Sequence, residues 1–332
     1  MFTMKNNKLN WLIGIIIGIV FLILWLRIVD WSEFFDYLRN FELKKVLIFS
    51  IFYLLAYFLR SLRWKIILNP IKSINLWQIY LIFMQGVLIN FLIPIRAGEL
   101  TKSFILKVKY KIRVSDSLPT IFIDKLMDMF PIVLILVSIP LFSLRLNNMI
   151  FFIIVLLFLI FIILLVFLYF AVNHRVKAHN LITKLLSIFP SRYRSKIEGS
   201  FQNFIVGMSI MQKRTRDSMI VFFLTFLALI SEALYIYIVF LSFGASASYQ
   251  IILFGYTLMN LTYILPTPPG QIGSNQFMWV LIFSFALGIN ENLTSAAVTF
   301  SHLLTTILIM LIGIISFLAL KINFRELVIN NK

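Results

Sequence analysis

The chain has 332 residues, of which 61% are hydrophobic and 13% charged, with a net charge of +17 and a mean hydropathy of +0.97. A soluble globular surface cannot be made from that composition, so the chain reads as an all-α polytopic membrane protein, a single integral membrane domain over 1–332, whose spans satisfy their own backbone groups. The sequence contains no cysteine, which excludes disulfides and thiolate metal sites, and its positive charge suggests an anionic lipid surface rather than nucleic acid.

In chain order, Lys5 and Lys8 precede an apolar run at 11–29. The run is longer than a signal h-region and no small-residue cleavage site follows it, so it is expected to be a retained first span, with the mature chain starting at or near Met1. Further runs long enough to cross about 30 Å of hydrocarbon lie at 46–65, 118–142, 149–170, 218–243 and 294–320, giving about six spanning helices. Two other apolar segments, 77–95 and 249–266, end in proline, and each leads into a glycine-containing turn.

Basic residues set the expected topology, because short cytoplasmic loops carry excess Lys and Arg. Residues 172–216 hold nine of them and 96–113 hold six. Placing both stretches in the cytoplasm, together with Arg60, Arg63, Lys65 and Lys72, requires 77–95 to go in and come back as a re-entrant hairpin turning near Pro94 and Gly98. The uncharged 244–249 then falls outside. The second broken segment becomes a hairpin from the opposite face, although two full crossings satisfy the same parity, and both termini lie inside. Residues 172–216 also mix Leu, Ile and Phe with their basic groups, as interfacial helices do.

The two irregular stretches read LIPIRAGELTKSF and ILPTPPGQIGSNQF. Both place a proline four residues before a glycine and follow it with a carboxylate or amide: Pro94, Gly98 and Glu99 in one, Pro266, Gly270 and Gln271 in the other, with Pro268, Pro269 and Gly273 as further turn formers. A unit of span, hairpin and span thus occurs twice, at about 46–145 and 218–320. By the charge count the two copies enter from opposite sides, as inverted repeats do in transporters that bind substrate near the midplane. In repeat order His302 corresponds to Lys125.

At these residues the sequence resembles the integral membrane domain of lysylphosphatidylglycerol synthases, a family that also includes stand-alone flippase-like proteins. The family's Pro-x-Arg-x-Gly-Glu-x-x-Lys pattern is matched by Pro94, Arg96, Gly98, Glu99 and Lys102. A Glu-Arg-x-x-Asp-like element is answered by Asp124, Lys125 and Asp128, with shorter reach and no guanidinium fork. A Gly-x-x-Gly-x-x-Glu element is answered by Gly270, Gly273 and Gln276, so no carboxyl stands at the last position. The resemblance covers roughly 12–317 and implies the lipid-moving half of such a protein, without the soluble lysyl-transferase domain.

Ionisable residues inside spans are costly unless paired or solvated, and so become functional candidates. Arg96, Glu99 and Lys102 fall near one helix face, where the cations suit a lipid phosphate and Glu99 would orient Arg96 or take a headgroup amine. Asp124 and Asp128, four residues apart, are expected to pair with Lys125 or Lys102. Arg60 and Arg63 are expected to snorkel to headgroups or to join the substrate path. Glu232 stands alone mid-span, and its expected partners are Arg96, Lys102 or His302. Asn90, Gln85, Asn260, Asn275 and Gln276 are expected to serve backbone groups freed by the prolines.

The function expected is translocation of an anionic phospholipid or lipid-linked headgroup between leaflets of the plasma membrane, with no cofactor and no metal. No Walker motif occurs. The alternatives are a membrane-embedded transferase acting on a lipid, with Asp124 and Asp128 as its one candidate carboxylate pair, or a non-catalytic membrane partner of a separate lipid-modifying enzyme or glycosyltransferase.

Overall fold

Short polar residues start the helices. Asp30 Oδ1 accepts the backbone N–H of Ser32 at 2.9 Å, Asn75 Oδ1 that of Trp77 at 2.8 Å, and Asn290 Oδ1 those of Asn292 and Leu293 at 2.9 and 2.8 Å. Each serves N–H groups that the first helical turn leaves without partners. Lys111 and Lys321 close helices in the left-handed conformation.

The protein is seen in a computed structural model that describes residues 16, 18–93, 97–138, 148–186, 198–199, 205, 215–262 and 268–321. Pro94, Arg96 and Pro266, and most of the basic segment expected to lie on the membrane surface, fall outside the described residues. Among the described residues all regular structure is helical. The helices are α1 (Gly18–Ile28), α2 (Trp31–Asn40), α3 (Leu43–Phe49), α4 (Ile51–Leu68), α5 (Leu76–Leu92), α6 (Gly98–Tyr110) and α7 (Val114–Ser138). There follow α8 (Asn148–Asn173), α9 (Arg175–Leu185), α10 (Thr215–Ser242), α11 (Tyr249–Thr262), α12 (Ser274–Trp279), which runs into a π-helical stretch Val280–Ala286, and α13 (Glu291–Leu320).

Three described segments are long and apolar enough to cross a membrane: Leu43–Leu68, Thr215–Ser242 and Glu291–Leu320, of 26, 28 and 30 residues. At about 1.5 Å rise per residue each exceeds a hydrocarbon core of about 30 Å. The first proline-ended run breaks where expected, and the end of the second lies outside the described residues. Ile93 is extended (φ −112°, ψ 121°), because the ring of a following proline disfavours the helical conformation of the residue before it, and α11 ends at Thr262.

Contacts sort the helix termini to two ends of the bundle. At one end Lys72 Nζ donates to the Tyr110 carbonyl at 2.9 Å and Lys109 Nζ to the Leu320 carbonyl at 3.3 Å. The start of α5 and the ends of α6 and α13 therefore lie together. At the other end the Glu42 N–H donates to the Ser242 carbonyl at 3.0 Å, and Asn292 accepts the Asp30 N–H at 2.9 Å and donates to Glu33 at 2.7 Å.

The most extensive helix pair is α4 with α10. Leu59 packs with Leu224 and Ala228, Ile67 with Val221 and with Ile123 of α7, and Ser231 Oγ donates to the Phe52 carbonyl at 2.9 Å. The largest apolar cluster joins α10, α11, α12 and α13 through Tyr235, Phe240, Trp279, Phe283, Ala296 and Ala297. Phe283 sits 4.9 Å from both the Phe240 and Trp279 rings. Small residues on α13, Ala296 and Ala297, pack in this cluster with the aromatic group.

Candidate functional site

A cavity of about 490 Å³ lies inside the bundle, within the usual range for ligand sites of about 300–1,000 Å³. One wall is ionic: Arg60 of α4, Glu99 and Lys102 of α6, Lys125 and Asp128 of α7, and Glu232 of α10. Neutral side chains also line it: Asn90, which bonds Glu99, and Asn260, Gln271, Asn275, Ser301 and His302.

The ionic wall is one connected network. Lys102 Nζ lies 2.9 Å from Glu99 Oε2 and Lys125 Nζ 3.2 Å from Glu99 Oε1. Lys125 continues to Asp128 at 3.6 Å. Arg60 reaches Asp128 at 3.8 Å and Glu232 at 2.5 Å. Behind the wall Arg63, 1% exposed, holds Asp124 at 2.8 Å and Asp128 at 2.8 Å, and also donates to the Asp124 carbonyl and to Thr225 Oγ1. One guanidinium fork thereby ties α4, α7 and α10 together. With Arg63 and Asp124 included, four cations meet four anions among the described residues. Buried charges persist when each has such partners, and removing one partner strands the other.

Several of these pairings differ from those expected. Glu232 is held by Arg60, and not by Lys102 or His302, because α4 and α10 pack side by side along their length. Arg60 and Arg63 do not snorkel: both turn inward, Arg60 over the Tyr57 ring at 5.6 Å. Asp124 takes Arg63 as its partner rather than an adjacent lysine. Lys102 is buried, with Nζ 4.1 Å from the Phe83 ring centre and 5.5 Å from that of Trp64, and both rings attract the ammonium. Arg96, whose pairing with Glu99 was expected, lies outside the described residues.

The start of α6 depends on a close approach. Asn90 Oδ1 accepts the Gly98 N–H at 2.8 Å while its Nδ2 donates to Glu99 at 3.0 Å, so an amide on α5 caps α6 and aims the carboxylate into the cavity. A side chain at Gly98 would run into the Gly86 carbonyl, and one at Gly86 would lie 2.5 Å from Lys102 Cε. The two glycines bring the backbones together, and Lys102 fills the space that remains.

The second break is built from a buried Pro268, Pro269 at the head of a short 3-10 turn, and left-handed Gly270 and Gly273, at φ +65° and +78°. Gln271 is also left-handed, at φ +56°, a conformation that costs a non-glycine residue about 1–2 kcal/mol. Gln276 is turned away from the cavity. Its Oε1 accepts the Gly273 N–H at 2.9 Å and its Nε2 lies 3.2 Å from His302 Nδ1. Since a backbone N–H can only donate, the amide orientation is fixed and Nδ1 is the acceptor, which places the proton of the neutral ring on Nε2. Gln276 thus serves a backbone group of the broken segment, as expected of its amide, and the residues of this segment that line the cavity are Gln271 and Asn275.

Residues 11–313 match the family described as Lysylphosphatidylglycerol synthase TM region. The chain belongs to that family. This membership and the apolar helices establish a membrane protein. A UPF0104 membrane protein of Methanothermobacter thermautotrophicus is 23% identical over 314 residues, covering 90% of this chain and 92% of the relative. No solved structure matches.

Proposed function

We propose that this member of the lysylphosphatidylglycerol synthase transmembrane-region family moves an anionic phospholipid, or another lipid-linked phosphate headgroup, between the leaflets of the plasma membrane. The observation that carries the reading is the ion-paired cavity, placed near mid-length of α7, α10 and α13, where hydrocarbon would otherwise bar a charged headgroup. Bringing a bare ion into such a medium costs on the order of 20 kcal/mol in the idealised limit. Fixed charges that exchange partners offset that cost. In the proposed step the headgroup phosphate takes Lys102 and Lys125 from Glu99, while the acyl chains stay in lipid between the helices.

The broken segments fit two re-entrant hairpins of opposite orientation. Lys72 bonded to Tyr110 has α5 start and α6 finish at the same end. The second segment runs from Tyr249, which follows Ser242, to the loop before Asn290, and Ser242 and Asn292 both belong to the other end. Glu99 and Gln271, equivalent in the repeat, line one cavity, as do Lys125 and His302. This is the arrangement expected of inverted repeats meeting at a substrate site, with both chain termini at the basic, cytoplasmic end.

The test is reconstitution into liposomes holding a fluorescent anionic phospholipid in the inner leaflet, followed by its appearance outside. The purified protein should raise exchange above protein-free vesicles, and Lys125→Met and Asp128→Asn should reduce it. Exchange at the protein-free rate with every lipid, with and without a proton gradient, would overturn the reading.

A further inference from the structure

An anion that binds the ionic wall deprives one carboxylate of its cations, and that carboxylate is Glu99. Lys102 Nζ lies 2.9 Å from Glu99 Oε2 and Lys125 Nζ 3.2 Å from Glu99 Oε1. Both lysines line the cavity, so a bound phosphate draws on the very cations that Glu99 holds. The other carboxylates keep theirs: Asp124 and Asp128 are held from behind by the buried Arg63, and Glu232 by Arg60. Four cations already face four anions among the described residues, and a phosphate adds a further anion. A buried carboxylate left without a partner takes a proton rather than stay charged.

The surroundings of Glu99 accept its neutral form. Asn90 Oδ1 is committed to the Gly98 N–H, so the Asn90 amide donates to Glu99 Oε1, and the carbonyl oxygen of a carboxylic acid receives that bond as a carboxylate does. Glu99 Oε2 is buried and makes no hydrogen bond among the described residues, its one close partner being the Lys102 ammonium. Once Lys102 turns to the phosphate, a proton on Oε2 lets that oxygen donate to the same phosphate.

The titratable groups nearest Glu99 are Lys102 on its own helix and Lys125 and Asp128 on α7, with Asp124 behind them. From α5 the cavity receives no titratable side chain. Tyr53, Tyr57 and Arg60 of α4, Glu232 and Tyr235 of α10, Tyr256 of α11 and His302 of α13 complete the lining. Lysine and arginine are already protonated at neutral pH and tyrosine is already neutral, which leaves Glu99 and His302 as the groups free to change.

We infer that Glu99 takes up a proton as a phosphate headgroup binds, so that each lipid crosses together with a proton and the protein works as a proton–lipid symporter. The proton comes from water on the loading side and sits on Glu99 Oε2 while the lysines hold the phosphate. It returns to water on the far side when the phosphate leaves and the lysines close on Glu99 again. The inference rests on the translocator reading for the crossing, but the protonation is a binding event measurable without it.

Dihexanoyl phosphatidylglycerol is the probe, because its phosphodiester does not titrate near neutral pH and cannot itself produce the effect. Added to the detergent-solubilised protein in weak buffer, it should withdraw about one proton from solution for each lipid bound. The proton belongs to the loaded state, so binding strengthens as pH falls. The apparent Kd should rise roughly tenfold per unit of pH between the titration of Glu99 in the empty and in the loaded cavity. Glu99→Gln is permanently neutral at this position, and its proton uptake and pH slope should both vanish. Lipid binding by wild type without proton uptake would overturn the inference, as when Arg96, outside the described residues, supplies the missing cation. Uptake undiminished in Glu99→Gln would overturn it too, by placing the proton on another group such as His302.

Movement is tested in liposomes made permeable to potassium, with labelled phosphatidylglycerol equal in both leaflets. A pH gradient should drive net transfer toward the alkaline side, beyond that in protein-free vesicles, and should not do so with Glu99→Gln. Rapid exchange with no net transfer would overturn the symport and leave the translocator reading standing. Proton uptake on binding without any exchange would overturn the translocator reading and leave the protonation of Glu99 standing. Absence of both binding and exchange would overturn the two together.

Discussion

Arg60 Nη2 and Glu232 Oε2 meet at 2.5 Å, joining α4 to α10 across the most extensive helix contact in the bundle. Glu232 has no charged neighbour on its own stretch of helix, so its burial depends on this one guanidinium. Arg60 is shared with Asp128, which links the pair to the rest of the ionic wall.

That dependence makes the pair suitable for a double-mutant cycle. Arg60→Met alone strands the Glu232 carboxylate and should cost about 3–5 kcal/mol of stability. Arg60→Met with Glu232→Leu should recover most of the loss, because two apolar groups of similar size replace the pair. Unfolding of the detergent-solubilised variants checks this, and a double variant no more stable than the single would show that the pair is not coupled.

Glu99 holds both Lys102 and Lys125. In Glu99→Gln the two ammonium groups lose their shared anion, and a charge-assisted bond worth about 1.5–3 kcal/mol is removed from each. A phosphate-bearing lipid should then bind roughly tenfold or more tightly and leave more slowly, lowering leaflet exchange. Tighter binding of dihexanoyl phosphatidate together with slower exchange is the expected pair of results. Weaker binding with slower exchange would assign Glu99 to the fold and not to the cycle.

The contact of Gly86 with Gly98 leaves no room for a side chain. Gly98→Leu should separate α5 from α6, break the Asn90 cap and lower stability by about 1–3 kcal/mol or more. Gly199→Leu, at a position with open space around it, should change stability by less than about 0.5 kcal/mol.

The chain has no cysteine, so single-cysteine labelling is free of background. Lys109→Cys and Lys72→Cys should be shielded from an impermeant reagent added to intact cells. Ser246→Cys, in the uncharged loop at the other end, should react. External labelling of Lys109→Cys would invert the proposed orientation of the first hairpin.

The sequence made the helix positions legible. The runs expected at 46–65, 218–243 and 294–320 match the three long apolar segments to within a few residues, and α5 ends two residues before Pro94. Hydrophobic runs and proline sterics are local, so they show in the sequence. The candidate residues were legible for a similar reason, since a charge in a span stands out wherever it sits.

Apart from Lys125 with Asp128, the partners were not legible. Whether Glu232 meets Arg60 or His302 depends on which helices pack together, and the pairing of α4 with α10 joins residues far apart in the chain. Arg60 and Arg63 were expected to snorkel because they lie near the end of an apolar run. The helix continues to Leu68 and turns both guanidinium groups inward. Gln276 was singled out through the family pattern, yet it caps Gly273, and only the left-handed turn at Gly270 and Gln271 shows which amide of that segment faces the cavity.

Among the described residues the site sets four positive groups against four negative ones. Under the proposed function, a rearrangement that opened the empty cavity from one face of the membrane to the other would carry no net charge from these eight groups through the field. The potential would then act on the passenger, at about 2.3 kcal/mol per elementary charge per 100 mV, and the charge of the passenger and its gradient would set the direction of net transport.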